Sequence, residues 1–252
     1  SSDLADVFCA TSGNQSGSPY LDPWRSSNFE ASYEWYFSEA GMFSLGAFYL
    51  DIESFISRET VYLPIADSDG EVRGYDINSK EFTGTTPIQS ITNSEGGNIK
   101  GLEVSFQQGL GTFSDMLDGF GVTANYTFSP SESGSKDYYG KDTPMADNSE
   151  HQSNLALWYE KDGLQARIAH NYRSKKFMWI VNKAPYQFAR YQAPTNYIDA
   201  SVSYDLNENM NVTFQATNLT EESQEQYLQW EDLVDKRYIN ERRLSLSFQY
   251  RL

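Results

Sequence analysis

Ten residues, Arg243 to Leu252, alternate without a break. Leu244, Leu246, Phe248, Tyr250 and Leu252 fall on one side; Arg243, Ser245, Ser247, Gln249 and Arg251 fall on the other. A strand sends successive side chains to opposite faces, so this segment has one apolar and one polar face. Taken alone it suits two settings. One is a half-buried antiparallel strand in a soluble sandwich. The other is the last strand of a membrane barrel, whose apolar face meets lipid.

Eight more segments read as strands, most of them alternating in the same way: residues 28–37, 42–56, 99–110, 120–128, 152–160, 164–173, 196–206 and 210–219. The connections between the nine alternate strictly in length. Short ones lie at 39–41, 111–119, 161–163 and 207–209, and long ones at 57–98, 129–150, 174–195 and 220–238. In an up-and-down meander, alternate connections share an end. All the short turns therefore gather at one end and all the long loops at the other, the asymmetry of an outer-membrane barrel with periplasmic turns and external loops. Greek-key connections would give a sandwich no reason to sort its loops. The polar faces carry Glu30, Glu34, Glu103, Asp199, Asp205, Arg243 and Arg251. An Arg on the lipid face at mid-depth costs about 2–4 kcal/mol, so this face belongs to a wet interior. The expected fold is an all-β, antiparallel up-and-down transmembrane barrel segment. Residues 1–27 are expected to form an external loop, and residues 28–252 the meander.

Composition narrows the function. No apolar run is long enough for a transmembrane helix, which needs about 18 residues or more, but alternation hides barrel strands from that test. Aromatics make up 15% of the chain, with 18 Tyr and 15 Phe, which suits barrel girdles and equally a sugar-binding protein. The formal net charge of -16 excludes nucleic acid as a natural partner, since phosphate binding needs clustered Lys and Arg. It is compatible with cations and with neutral polar ligands. The single cysteine, Cys9, has no partner within the chain for a disulfide. The chain opens on Ser1 without a signal peptide, and an odd strand count is foreign to bacterial single-chain barrels. Both point to a fragment whose upstream strands lie elsewhere.

A family resemblance is carried by a series of segments in order. Tyr20 to Glu30 (YLDPWRSSNFE) leads into Tyr33 to Phe37 (YEWYF), followed by Phe48 to Ile52 (FYLDI) and Ile99 to Gln108 (IKGLEVSFQQ). Ala124 to Phe128 (ANYTF), His170 to Ser174 (HNYRS), Asp199 to Tyr204 (DASVSY) and Ala216 to Thr220 (ATNLT) complete the series before the alternating terminus. From about Tyr20 to Leu252 the chain resembles the C-terminal barrel portion of proteobacterial TonB-dependent outer-membrane receptors. It departs from the usual family ending by closing on Leu252 rather than Phe. The resemblance implies a barrel of twenty-two strands around an N-terminal plug and an outer-membrane location. It also implies uptake of a scarce ligand with energy relayed by TonB. This chain would be roughly the last two-fifths of the barrel, with the plug, and TonB contact through it, outside the sequence.

No enzyme constellation is evident. His151 and His170 lack neighbours at metal-ligand spacing. Asp67 and Asp69, in Asp67-Ser68-Asp69-Gly70, resemble the start of a calcium loop but lack its further ligands, so a solvated turn is the better reading. No cofactor is expected. The external loops do carry Trp24, Tyr62, Tyr138, Tyr139, Trp179, Tyr186, Phe188, Tyr191 and Trp230. Sugar rings and other flat ligands stack on such faces, while Trp and Tyr just beyond strand ends also serve as membrane anchors. Trp179, Tyr186 and Tyr191, in one loop with Lys183 and Arg190, form the most interesting group. With no basic loop cluster, the reading leans towards an oligosaccharide over a ferric siderophore, since many siderophores are anionic. The partners expected are outer-membrane lipid and a small-molecule ligand. The alternatives are a soluble carbohydrate-binding β-sandwich and a complete small structural or adhesive barrel.

Overall fold

The computed structural model describes the backbone of residues 13–14, 21–63, 65–66, 72–73, 75–76, 81–82, 86–183 and 186–251. Its principal strands are β1 (Arg25–Ser38), β2 (Gly41–Leu63), β3 (Thr86–Gly109), β4 (Phe120–Phe128), β5 (Ser131–Ser133), β6 (His151–Lys161) and β7 (Leu164–Arg173). They continue with β8 (Lys176–Lys183), β9 (Tyr186–Gln192), β10 (Thr195–Asn207), β11 (Met210–Thr217), β12 (Gln224–Leu228), β13 (Val234–Tyr238) and β14 (Arg243–Tyr250).

Nine of these form the path β14-β11-β10-β7-β6-β4-β3-β2-β1, in which each strand neighbours the next long strand in sequence. This is the expected up-and-down meander. β1 and β14 are its two edges among the described residues, so the sheet is a partial barrel that does not close on itself. The register fixes the faces. Leu246 lies opposite Phe214, Phe214 opposite Val202, Ala200 opposite Ile168, and Ile168 opposite Leu157. That apolar stripe is uncovered: Leu246 is 74% exposed, Leu157 53% and Ile168 48%. A sandwich would bury the same residues under a second sheet. The opposite face is laced by polar contacts. Asn154 bonds Asn171, Asn211 Nδ2 donates to Asp205 Oδ1 at 2.7 Å, and Trp158 Nε1 donates to Thr123 Oγ1 at 3.3 Å. Gly121 is needed beneath that tryptophan, because a Cβ there would lie 1.9 Å from Trp158 Cζ2.

Two expectations need correction. The stretches around residue 57 and before residue 98 are not irregular: β2 runs on to Leu63 and β3 begins at Thr86. Ser57-Arg58-Glu59-Thr60 and Asn93-Ser94-Glu95 have no apolar face to signal a strand, yet backbone pairing does not need one. Residues 174–195 and 220–238, expected as loops, instead contain β8, β9, β12 and β13. These form a separate four-stranded sheet in the order β8-β9-β12-β13.

The chain divides into two compact units, Ser1–Ser27 with Ile52–Gly96, and Asn28–Asp51 with Gly97–Leu252. In the first unit, Asp22 and Asn93 exchange two hydrogen bonds. Asp22 N donates to Asn93 Oδ1 at 2.8 Å, and Asn93 Nδ2 donates to the Asp22 carbonyl at 2.9 Å. Short ladders join Ile65–Ala66 to Val72–Arg73 and Tyr75–Asp76 to Glu81–Phe82. Most of the expected 1–27 loop, Cys9 included, lies outside the described residues, as do Asp67, Asp69 and Leu252. The candidate site described below belongs to the second unit; Trp24, Phe55 and Tyr62 belong to the first.

Candidate functional site

The four-stranded sheet creates the site. β9 pairs β8 through Arg190↔Trp179 and Phe188↔Val181, and pairs β12 through Arg190↔Leu228 and Tyr191↔Tyr227. Trp179, Phe188 and Arg190 therefore share one face, and Phe177, Tyr191 and Tyr227 the other.

On the first face an aromatic cluster forms around a ring from a different loop. Tyr138 stacks on Phe188 with centroids 5.5 Å apart and planes 7° from parallel. It also meets Trp230 at 5.4 Å, Tyr186 at 5.6 Å and Tyr139 at 5.2 Å. Trp230 Nε1 donates to the Tyr139 hydroxyl at 3.0 Å. Edge-to-face and offset pairs of this kind stabilise beyond simple burial, by about 0.5–1.5 kcal/mol each. Yet Tyr139 remains 61% exposed and Tyr186 53%, so flat apolar faces are on offer to a ligand.

A polar clasp holds the two loops together. Gln229 Oε1 accepts from the Ala189 N–H at 3.2 Å and from the Tyr138 N–H at 3.4 Å, while its Nε2 donates to Asp137 Oδ2 at 3.0 Å. The other Asp137 oxygen accepts from the backbone N–H of Tyr139 and of Lys141, which shapes the turn carrying Tyr138. Burial pushes the Asp137 carboxyl up, but the bonds from Gln229, Lys141 N and Tyr139 N outweigh it and hold it below the usual carboxylate range. Gln229 sits at φ +56°, a left-handed conformation uncommon outside glycine.

Arg190 supplies the strongest charge. It is largely buried, its Nη2 lies 2.7 Å from Asp235 Oδ2, and its Cζ stands 4.8 Å from the Trp179 ring centroid. Carboxylate and indole offset part of the cost of taking the guanidinium from water, although its buried Nε has no hydrogen-bond partner among the described residues.

Of the nine aromatic residues named in the loops, the structure brings together Tyr138, Tyr139, Tyr186, Phe188 and Trp230. Trp179 serves Arg190 a short distance along the same face. Tyr191 lies on the opposite face, stacked on Tyr227 at 5.6 Å and edge-on to Phe177 at 5.8 Å. Trp24 packs edge-on against Phe55 at 5.7 Å in the other unit. Tyr62 falls within β2, its side chain outside the described residues. Gln229, Asp137 and Asp235 escape sequence reasoning altogether, since nothing local distinguishes them from other loop residues. His151 Nδ1 lies 2.8 Å from the Tyr126 hydroxyl, and among the described residues no group of three or more His, Cys, Asp or Glu could hold a metal ion. A separate concavity of about 360 Å³ on the polar face of the large sheet is lined by Glu30, Gly46, Phe48 and Glu103, among others.

The family model described as "TonB dependent receptor-like, beta-barrel" matches residues 2–219. No curated protein matches the chain. Among solved structures it is similar to a mutant of the ferric enterobactin receptor of Pseudomonas aeruginosa in complex with enterobactin. The identity is 15% over 95% of this chain and 33% of that one, with a TM-score of 0.63. The siderophore receptor PirA of Acinetobacter baumannii gives 16% identity over 94% of this chain and 33% of that one, with a TM-score of 0.61. The ferric citrate transporter FecA, unliganded, gives 17%, 89%, 30% and 0.55 in the same order. At these identities the likeness is one of fold. The chain spans about a third of the length of each of these structures.

Proposed function

The chain belongs to the TonB-dependent receptor family of outer-membrane β-barrels, and on that premise we propose that it is part of the wall and ligand-facing surface of an energised uptake receptor. In this reading residues 28–252 are the meander, with the short turns in the periplasm and the long loops outside. Residues 1–27 begin in an external loop. The plug and the contact with TonB belong to the rest of the receptor. No catalytic role is proposed.

The observation that carries the substrate reading is the state of the loop cations. Lys176 is paired with Asp147, Arg190 with Asp235, Arg237 with Glu225 and Arg242 with Glu221. Lys136 is paired with Asp142. Each of these five has a carboxylate partner, while among the described residues Lys141, Lys175 and Lys236 in the same loops have none, and Lys175 lies over the Tyr191 ring at 5.7 Å. The paired cations do not form the open cradle an anionic chelate demands. What is offered is a set of ring faces in an acidic surround. The ligand is therefore a neutral or positively charged molecule with flat faces. The similar structures named above are a ferric enterobactin receptor, a siderophore receptor and a ferric citrate transporter, which makes a neutral or cationic ferric siderophore the first substrate to test. An oligosaccharide is the second reading, favoured by the stacked rings alone.

The test is uptake by the whole receptor in cells stripped of competing receptors, with and without TonB. Radioiron loaded on cationic, neutral and anionic siderophores would be compared with labelled oligosaccharides. TonB-dependent uptake of a neutral or cationic species supports the reading. Uptake confined to an anionic chelate overturns the charge argument, and uptake independent of TonB overturns the energised mechanism.

A further inference from the structure

Most of the short connections in the large sheet are turns of two residues, at 39–40, 162–163 and 208–209. Residues 110–119, between β3 and β4, are the exception. They fold into two 3-10 turns, Leu110–Thr112 and Asp115–Leu117. Two residues suffice to link adjacent antiparallel strands, so the extra chain is not needed for pairing. It presents two large apolar side chains outward: Phe113 is 73% exposed and Met116 87%.

This display is held in place. Gln108 Nε2 donates to Thr112 Oγ1 at 2.9 Å, and Thr112 Oγ1 donates to the Gly109 carbonyl at 2.9 Å. Met116 N donates to Ser114 Oγ at 3.3 Å, and Lys161 closes the far side on Asp118 at 2.8 Å. The turn also leans to a definite side. Gln108 lies opposite Val122 and two residues from Phe106, on the apolar face of the sheet. Thr112 reaches it there, so the turn starts folded over the apolar face rather than the polar one. Around it stands an aromatic belt on the same face: Trp35 on Phe37 at 5.2 Å, Phe37 on Phe106 at 6.2 Å and Phe120 on Tyr159 at 4.7 Å. The belt and the turn are continuous, since a Cβ on Gly41 would strike both the Phe37 ring and the Gln108 amide.

We propose that residues 110–119 are a membrane-interface anchor, in which Phe113 and Met116 enter the lipid headgroup layer at the short-turn end of the barrel. The proposal rests on reading the apolar face as lipid-facing. Its occupant is phospholipid, because the exposed side chains extend a belt of the kind that sits at headgroup level. The turn would then fix the height of β3 and β4 in the bilayer.

The full-length receptor in vesicles of phosphatidylethanolamine and phosphatidylglycerol tests this. Nitroxide labels on Met116→Cys and Phe113→Cys, in a Cys9→Ser background, would be probed by collision with oxygen, which enters lipid, and with a neutral nickel chelate, which stays in water. Leu246→Cys on the apolar stripe and Asp162→Cys in a two-residue turn are the references. The anchor predicts that positions 113 and 116 favour oxygen several-fold relative to position 162. Nickel accessibility at 116 beside oxygen accessibility at 246 overturns the anchor alone. Low accessibility to both reagents overturns it in favour of a protein cover, either the plug or a periplasmic partner. If position 246 itself reads as water-exposed, the lipid-facing reading of the sheet falls and the anchor falls with it.

Discussion

Gln229 and Asp137, separated by 92 residues in sequence, meet side chain to side chain at 3.0 Å and join two long connections into one surface. Removing that amide would leave three groups short of a partner: the Asp137 carboxylate oxygen and the N–H groups of Tyr138 and Ala189. Gln229→Ala is expected to cost about 1–3 kcal/mol locally, the penalty of stranding partly buried polar groups. Hydrogen exchange at the Tyr138 and Ala189 amides should quicken by tenfold or more, while exchange along β6 and β7 is unchanged. Unaltered protection at both amides would remove the clasp from the account.

The same clasp sets an acid limit. Asp137 is held below the ordinary carboxylate value of 3.8, so its contribution to stability is present above that value and is lost as pH falls through the depressed one. Tyr227 sets an alkaline limit. Burial, then the charges of Glu231 and Tyr191, push its phenol up from 10.0 to about 12. That contribution is complete below pH 10.0 and is lost as pH rises through about 12. The near-ultraviolet dichroism of the aromatic loops should therefore stay flat above pH 3.8 and below pH 10.0. A transition at neutral pH would contradict both assignments.

The pairing of Arg190 with Asp235 predicts an asymmetry between single and double variants. Asp235→Ala leaves a guanidinium buried without its counter-charge, at a cost on the order of 3 kcal/mol. Arg190→Met combined with Asp235→Leu removes both charges and should cost less than the single change. Comparing exchange rates across β9 and β12 in the two proteins checks this. Equal or greater loss in the double variant would mean that the pair adds net stability.

Gly121→Ala places a methyl where Trp158 lies, 1.9 Å from its Cζ2. The indole must leave its bond to Thr123, and overpacking of this sort costs about 1–3 kcal/mol. The receptor should lose heat-modifiable migration in detergent gels at a lower temperature than the parent. Trp158→Phe in the same background should restore part of the difference. Migration identical to the parent would show that the wall relaxes around the ring without cost.

The wall was legible in the sequence because one apolar and one polar face impose period two on every strand. The segment at 120–128 is read to the residue as β4, and 164–173 as β7. The signal fails where one of those faces is absent. Beyond the apolar band, β2 and β3 continue through Arg58-Glu59-Thr60 and Asn93 with no apolar face to mark them. The four-stranded sheet was hidden for a different reason. Its central pairing, β9 with β12, joins two different loops, as Arg190 with Leu228, and no local pattern encodes a partner that far away. The aromatic site was half legible. Composition picked out Tyr138, Tyr139, Tyr186 and Trp230, but the residues that assemble them, Gln229 and Asp137, look like ordinary loop polar groups until their distances are known.

The sorting of connections by length also constrains how such a receptor can change over generations. A single-residue insertion in β6 would carry Leu155 and Leu157 to the polar face and Asn154 and Trp158 to the apolar one, so the wall admits changes only in pairs of residues. Residues 134–148 and 229–233 lie outside the named strands and obey no such parity. New ligand chemistry can therefore accumulate one residue at a time in such links, while the wall passes on unaltered.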